Sequence, residues 1–352
     1  MGMRIALVTD AWTPQTNGVV TTLKATAAEL ERRGYEPQVI SAEGMPSIAC
    51  PSYPEIRLAI CPGKHVARHL DGLRPGAIHI ATEGPVGLSA RRYCLERRLP
   101  FTTSYHTRYP EYLRARWPIP LKLSYGWLRH FHGRAVRTFV SSETLRRELA
   151  GHGFASLHIW RRGVDLARFT PSAQPATPRG RPLLVYVGRV AVEKNLEAFL
   201  ALDIPGHKLV IGGGPQLQLL QARYPSVEFA GFRHGAELTQ LLASADVFVF
   251  PSLTDTFGIA MLEAIACGVP VAAFPVPGPL DVIEQGVSGV LHESLAAAVE
   301  GALRLDRRRC VEAAQRFTWQ AATEQFIAGL APMPVRARWR TRARLAFGVE
   351  WS

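Results

Sequence analysis

Lysine is scarce in this chain: it supplies five of the 41 basic residues, and arginine supplies the rest. Cysteine is sparse too, with five residues at 50, 61, 94, 267 and 310 and no C-x-x-C pair. That spacing excludes a disulfide framework and a thiolate zinc site, and leaves buried or inert thiols as the expectation. No H-E-x-x-H, Walker A or G-x-S-x-G motif occurs, and no His or carboxylate cluster has metal-ligand spacing. Long apolar runs are missing as well. The best candidate, 260–277, is broken by Glu263, Gly268, Pro270, Pro275 and Pro277, whereas a membrane span needs about 18 unbroken apolar residues. At the start, Met3–Val8 runs straight into Asp10, too short for the apolar core of a signal peptide, so a cytoplasmic protein is expected. Disorder is excluded by 47% hydrophobic and 20% charged residues. The 352 residues suit two domains of roughly 150 each.

The charge is lopsided. The net +12 comes from residues 1–165, with 23 Lys and Arg against 13 Asp and Glu, and from 331–352, with five Arg against one Glu. Residues 166–330 hold 13 against 15. One face of the first half therefore expects an anionic partner, either nucleic acid or an anionic membrane.

Along the chain, short β-rich runs alternate with helical segments. Arg4–Asp10, Ile78–Ala81, Phe101–Ser104 and Thr138–Val140 read as strands in the first half. Leu183–Val187, Lys208–Ile211, Val227–Phe229, Asp246–Phe250 and Val269–Phe274 repeat the theme in the second. Two such series predict an α/β fold of two doubly wound Rossmann-like domains. The Pro-, Ala-, Ser- and Thr-rich stretch 172–182 reads as the linker between 1–171 and 183–317. Thr318 is placed to cap a final helix with Trp319, Ala322, Phe326, Ile327 and Leu330 on one stripe, opening a C-terminal segment 318–352.

Five loops carry candidate chemistry. Gly188-Arg189 and Lys194 lie where a strand ends and a helix begins, a spacing suited to embracing a diphosphate. Asp255-Thr256-Phe257-Gly258 reads as a turn at a helix start, and Glu263, ringed by Ala, Ile and Leu, looks inward, where an acid needs a partner. Gly212-Gly213-Gly214 follows another strand. Gly18 after the first strand lets backbone amides approach a phosphate. Tyr105-His106-Thr107-Arg108 closes the strand Phe101–Ser104, a good place for a working histidine.

Together these motifs resemble the GT4 family of retaining glycosyltransferases with the GT-B fold, in which two Rossmann-like domains face a central cleft. The likeness extends to bacterial glycolipid-forming members. It runs from the Gly18 loop to the helix after Thr318, and its most specific part is Arg189…Lys194 with Asp255-x7-Glu263, similar to the family's E-x7-E. Here the first acid is Asp255, one methylene shorter than the usual Glu, which resets its sugar contact. The resemblance implies that Arg189 and Lys194 hold the diphosphate of a nucleotide-sugar. It gives Gly18 backbone amides for the same phosphates and sets His106 near the C6 hydroxyl of the sugar. Asp255 and the amides of Thr256, Phe257 and Gly258 would hold sugar hydroxyls and a phosphate oxygen, Glu263 the ribose, and Gly231 and Phe232 would border the base. Gly188 and Gly214 belong to the donor site. No metal or cofactor is implied: the departing phosphate takes the acceptor proton, so no nucleophile is named.

The favoured reading is a hexosyl transfer from a UDP-sugar, such as UDP-glucose or UDP-glucuronate, to a hydroxyl of a membrane lipid. Arg108 is the candidate to pair with a C6 carboxylate, with Tyr105 beside it. A GDP-mannose-dependent mannosyltransferase is the alternative; a GT-B-fold sugar-nucleotide epimerase or a basic nucleic-acid binder are alternatives of other classes. Leu123, Trp127, Leu128 and Phe131, interleaved with Lys122, Arg129 and His130, predict a helix in a membrane interface. The tail adds Arg336, Arg338, Arg340, Arg342 and Arg344 around Trp339. The expected location is the inner face of the cell membrane, as a peripheral protein.

Overall fold

The computed structural model describes residues 2–15, 17–50, 53–117, 119–171 and 181–334, with Ala337 and Trp339. Residues 172–180 of the expected linker and the tail arginines lie outside the described residues.

Two six-stranded parallel sheets organise the chain. The first contains β1 (Arg4–Val8), β2 (Glu36–Ile40), β5 (Ala77–Ile80), β6 (Thr102–Ser104), β7 (Arg137–Val140) and β8 (Leu157–Ile159), in the order β2-β1-β5-β6-β7-β8. Between β2 and β5, an antiparallel hairpin forms from β3 (Ser47–Cys50) and β4 (Tyr53–Ala59). The second sheet contains β9 (Leu183–Val187), β10 (His207–Ile211), β11 (Glu228–Gly231), β12 (Val247–Phe250), β13 (Val271–Ala273) and β14 (Gly289–Leu291), in the order β11-β10-β9-β12-β13-β14. Helices connect successive strands, as parallel pairing requires.

Both faces of each sheet are covered, which is why the strands read as continuous apolar runs rather than alternating ones. In β1, Ile5 and Leu7 pack with Leu23, Leu30, Trp160 and Phe326, while Ala6 and Val8 pack on the opposite side with Val66, Tyr93 and Phe101. Phe326 belongs to the last helix, Trp319–Gly329, whose first turn is capped by Thr318 Oγ1 accepting from Ala321 N at 3.2 Å. That helix crosses from the second sheet to pack on the first, against the helix Gly18–Arg32. Trp339 also lies against the first domain's core.

Cys94, Cys267 and Cys310 are buried, and Cys61 is exposed. One expectation needs correction. The aromatic stripe of the helix Leu121–His132 divides: Leu128 and Phe131 are core residues, and only Leu123 and Trp127, 67% and 48% exposed, face outward. Five strands escaped the sequence reading: β2, β3 and β4 of the hairpin, β8 and β14.

Candidate active site

Each sheet has a point where strand order reverses, and loops leaving the strands there diverge to open a crevice at their carboxyl ends. In the second sheet β9 lies between β10 and β12. The loop after β9 brings Arg189 and Lys194; the loop after β12 brings Asp255. Lys194 Nζ donates to Asp255 Oδ1 over 2.5 Å, the side chains being 17% and 15% exposed. The loops are stitched together beneath them. Thr254 Oγ1 donates to Glu193 O at 3.0 Å, and Asn195 Nδ2 donates to Pro251 O at 3.1 Å. Burial pulls the Lys194 pKa down, and Asp255, Tyr112 and Tyr186 together more than offset it, so the ammonium is held above its ordinary value as a fixed positive charge. Asp255 Oδ2 is buried with no hydrogen-bond partner among the described residues. Such an orphan costs about 1–3 kcal/mol, a penalty that a ligand hydroxyl would relieve. Arg189 is half-buried on the same loop, its carbonyl accepting from Tyr186 Oη at 2.9 Å.

The Asp255 turn depends on a glycine. Gly258 has φ 85°, and a Cβ there would come within 2.6 Å of Met261 Cε and 2.9 Å of Phe250 Cζ. The turn opens the helix Ile259–Ala266, which has no side-chain cap; Met261 N donates to Gly258 O at 3.0 Å, so it is the first two amides of the helix that can meet an anion. Phe257 is buried in the core and offers only backbone. Thr256 Oγ1 donates to His106 O at 2.8 Å, and its carbonyl accepts from Ser141 Oγ at 2.8 Å, so this turn is fastened to the first domain. Glu263, half-buried in that helix, has its pKa pushed up to about 7 by burial, with the Arg168 guanidinium pulling the other way.

The glycine turn after β10 packs beside the β9 loop. Gly188 N donates to Ile211 O at 3.0 Å, Gly212 N to Gly231 O at 2.8 Å, and Leu217 N to Gly214 O at 3.1 Å. Phe232, 58% exposed, lies over Gly213, where an added Cβ would stand 2.6 Å from Phe232 Cε2. An exposed ring at the crevice edge is a stacking platform.

In the first sheet the loops after β1, β5 and β6 carry Gly18, Glu83 and His106. Gly18 starts its helix opposite Ile259, 3.8 Å from an added Cβ to Ile259 Cδ1, so the two helix starts meet across the cleft. Asn17 Oδ1 already accepts from Val19 N and Val20 N at 3.0 Å each. Of the amides assigned to phosphates here, Gly18's own is the one left to a ligand. His106 Nδ1 lies 3.1 Å from an Arg162 guanidinium nitrogen. Guanidinium only donates, so Nδ1 accepts and the ring proton sits on Nε2. Nε2 is buried without a hydrogen-bond partner among the described residues. Burial, then Arg162, His79 and His132, hold the imidazole well below its ordinary pKa, so it is a neutral donor.

Tyr105 and Arg108 are not brought to this site. Tyr105 is fully buried in the core. Arg108 pairs with Glu148 in a buried network, so this chain's own glutamate supplies the carboxylate expected from a sugar.

Sequence reading missed three contributors. Tyr112, on the helix Tyr109–Arg116, lies near Lys194 across the cleft, close enough for each to shift the other's pKa. On the same helix Arg116 pairs with Glu193 at 2.8 Å. Arg162 was given no role from the sequence; its place two residues after Trp160, just beyond the end of strand β8, was the available signal. Among the described residues no helix is long and apolar enough to cross a membrane, and no group of three His, Cys, Asp or Glu is placed to hold a metal.

Residues 16–168 match the model described as Glycosyltransferase Family 4, and residues 181–305 match that described as Glycosyl transferases group 1. A GDP-mannose-dependent alpha-mannosyltransferase of Mycobacterium tuberculosis is 30% identical over 317 residues, covering 82% of this chain and 84% of the relative. An alpha-monoglucosyldiacylglycerol synthase of Streptococcus pneumoniae is 27% identical, covering 86% and 78%. Among solved structures, sucrose-phosphate synthase from Thermosynechococcus elongatus superposes with a TM-score of 0.77 at 18% identity, over 93% of this chain and 98% of that one.

Proposed function

We propose a donor and an acceptor for this chain, which belongs to the family 4 glycosyltransferases and uses a nucleotide-sugar. The donor is GDP-mannose, in place of the UDP-sugar that the sequence favoured, because relatives at 30% identity are GDP-mannose-dependent mannosyltransferases. The acceptor is a hydroxyl of a membrane lipid, supported by the likeness to a diacylglycerol glycosyltransferase, and the protein works peripherally at the membrane.

The observation that carries the site is the Lys194–Asp255 pair at the β9/β12 crevice, with one carboxylate oxygen unsatisfied. In the reaction, the acceptor oxygen bonds to the anomeric carbon as that carbon's bond to the phosphate oxygen breaks. The electron pair leaves with the nucleoside diphosphate, which also takes the acceptor proton. Arg189 and Lys194 stabilise the growing negative charge without a metal. Asp255 Oδ2 and His106 Nε2–H hold sugar hydroxyls, one as acceptor and one as donor. Glu263 takes the ribose diol, and Phe232 takes the base.

The test is transfer to a lipid acceptor with GDP-mannose, UDP-glucose and UDP-glucuronate in parallel, in the presence of a chelator. GDP-mannose is expected to be used best. Preferential use of a UDP-sugar overturns the donor assignment, and loss of activity on chelation overturns the metal-free one.

A further inference from the structure

We propose that Glu83 and the apolar cleft above it form the acceptor subsite, Glu83 taking the acceptor's hydroxyl and the cleft its hydrocarbon chain. The proposal rests on the lipid-acceptor reading above and assigns it a place.

Three observations converge. The first is topological. In the order β2-β1-β5-β6, the loop after β5 stands between those after β1 and β6. Glu83 is therefore set between the Gly18 loop and the His106 loop, at the strand-order reversal of the first sheet, where ligands bind. The second is the carboxylate itself. Glu83 is 5% exposed, and His132 Nε2 donates to its Oε1 at 3.2 Å while His132 Nδ1 lies 2.9 Å from Thr103 Oγ1. A buried acid held by one oxygen on a fixed imidazole is oriented, not merely solvated. The third is the cleft. It has a volume of about 410 Å³, and Leu113, Ile119, Leu123, Trp127 and Leu128 form walls that end on Glu83. That volume lies within the roughly 300–1,000 Å³ of small-molecule sites.

An apolar slot ending on a hydrogen-bond acceptor is complementary to one kind of molecule, an alcohol with a hydrocarbon tail. The slot and the donor site share a helix. Tyr109 and Leu113 of the helix Tyr109–Arg116 line it, while Tyr112 and Arg116 of the same helix engage Lys194 and Glu193. A molecule in the slot is one helix width, about 10 Å, from the phosphate grip. Trp127 and Leu123 at its mouth explain an exposed apolar face on a helix whose other side is core.

The experiment measures the acceptor KM for short-, medium- and long-chain monoalkylglycerols and for a soluble mannoside. For the wild type, KM is expected to fall with chain length, by up to about fourfold for each methylene that enters the slot. Leu123→Asp, at an exposed position that the fold does not need, is expected to flatten that dependence. Glu83→Gln is expected to raise KM about tenfold at every chain length while leaving the dependence itself, with circular dichroism checking the fold. If the wild type uses alkylglycerols with a chain-length dependence that Leu123→Asp retains, or if Glu83→Gln leaves KM unchanged, the subsite is wrong and the lipid reading stands. If the wild type uses the mannoside and no alkylglycerol, the lipid reading falls and takes this subsite with it.

Discussion

The two strand-order reversals face one another and are built from opposite materials. The one in the second sheet is ionic and stitched: Lys194 on Asp255, with Thr254 and Asn195 pinning the loops from below. The one in the first sheet is made of neutral or oriented groups: His106 with its proton set by Arg162, Glu83 held by His132, and an apolar slot. A leaving group that gains charge needs fixed cations; an incoming alcohol needs shape and a single polar anchor. The basic surplus of the first half therefore does not mark the proposed phosphate grip, whose Arg189 and Lys194 sit in the half with slight acidic excess.

The largest expected effect breaks the ionic side. Lys194→Ala removes a charge-assisted contact worth about 1.5–3 kcal/mol and leaves Asp255 unpaired, so turnover is expected to drop roughly ten- to hundredfold or more with the fold retained by circular dichroism. Near-normal turnover would remove Lys194 from the site. Arg108→Met comes next, on the other side. It strands Glu148, which is 24% exposed, and is expected to cost about 2–3 kcal/mol in denaturant unfolding, below the figure for a fully buried pair because water still reaches the acid. A stable variant with altered donor preference would return Arg108 to the sugar.

Two pH profiles sharpen the contrast. His106 has its pKa lowered when folded, so it is neutral, and its contribution to stability is fully present above its unfolded value of about 6.5 and is lost progressively as pH falls from there towards the depressed folded one. Wild-type activity is expected to show no limb from His106 there. In Arg162→Met the guanidinium facing His106 is gone while the imidazoles of His79 and His132 remain beside it, and an acid limb is expected to move upward; an identical profile would refute the tautomer argument. Glu263 has the reverse sign: its raised pKa keeps it protonated until pH rises through about 7. The ionised form accepts both ribose hydroxyls, so nucleotide affinity, read by calorimetry, is expected to rise a fewfold across that pH, and Glu263→Gln is expected to abolish the slope. A slope unchanged in the variant would release Glu263 from the ribose.

The second-sheet half of the site was the legible one. Arg189, Lys194, Asp255 and Glu263 lie on two contiguous stretches, each a strand followed by a turn and helix, so linear spacing maps onto geometry. Glu83, Tyr112 and Arg162 come from two loops and a helix of the first domain, far apart in sequence and brought together only by the fold. No spacing rule links residues so far apart. Arg108 misled for the same reason: next to His106 in sequence, it finds Glu148 forty positions away. The strands were read well where both faces are buried. β2, β8 and β14 lie at or near sheet edges, with partly exposed residues, and lack the continuous apolar signal.

Thr256 has a kinetic consequence. Its hydroxyl and its carbonyl are both spent on the opposite domain, one on His106 O and one on Ser141 Oγ, while its neighbours Asp255 and Gly258 shape the donor turn. Prising the halves apart breaks both bonds at the turn proposed to grip the sugar. If the spent nucleotide leaves by that parting, its departure has a barrier of its own, separate from bond-making at the anomeric carbon. A pre-steady-state burst of glycosylated product, followed by a slower steady rate, is the signature of a turnover limited by that exit.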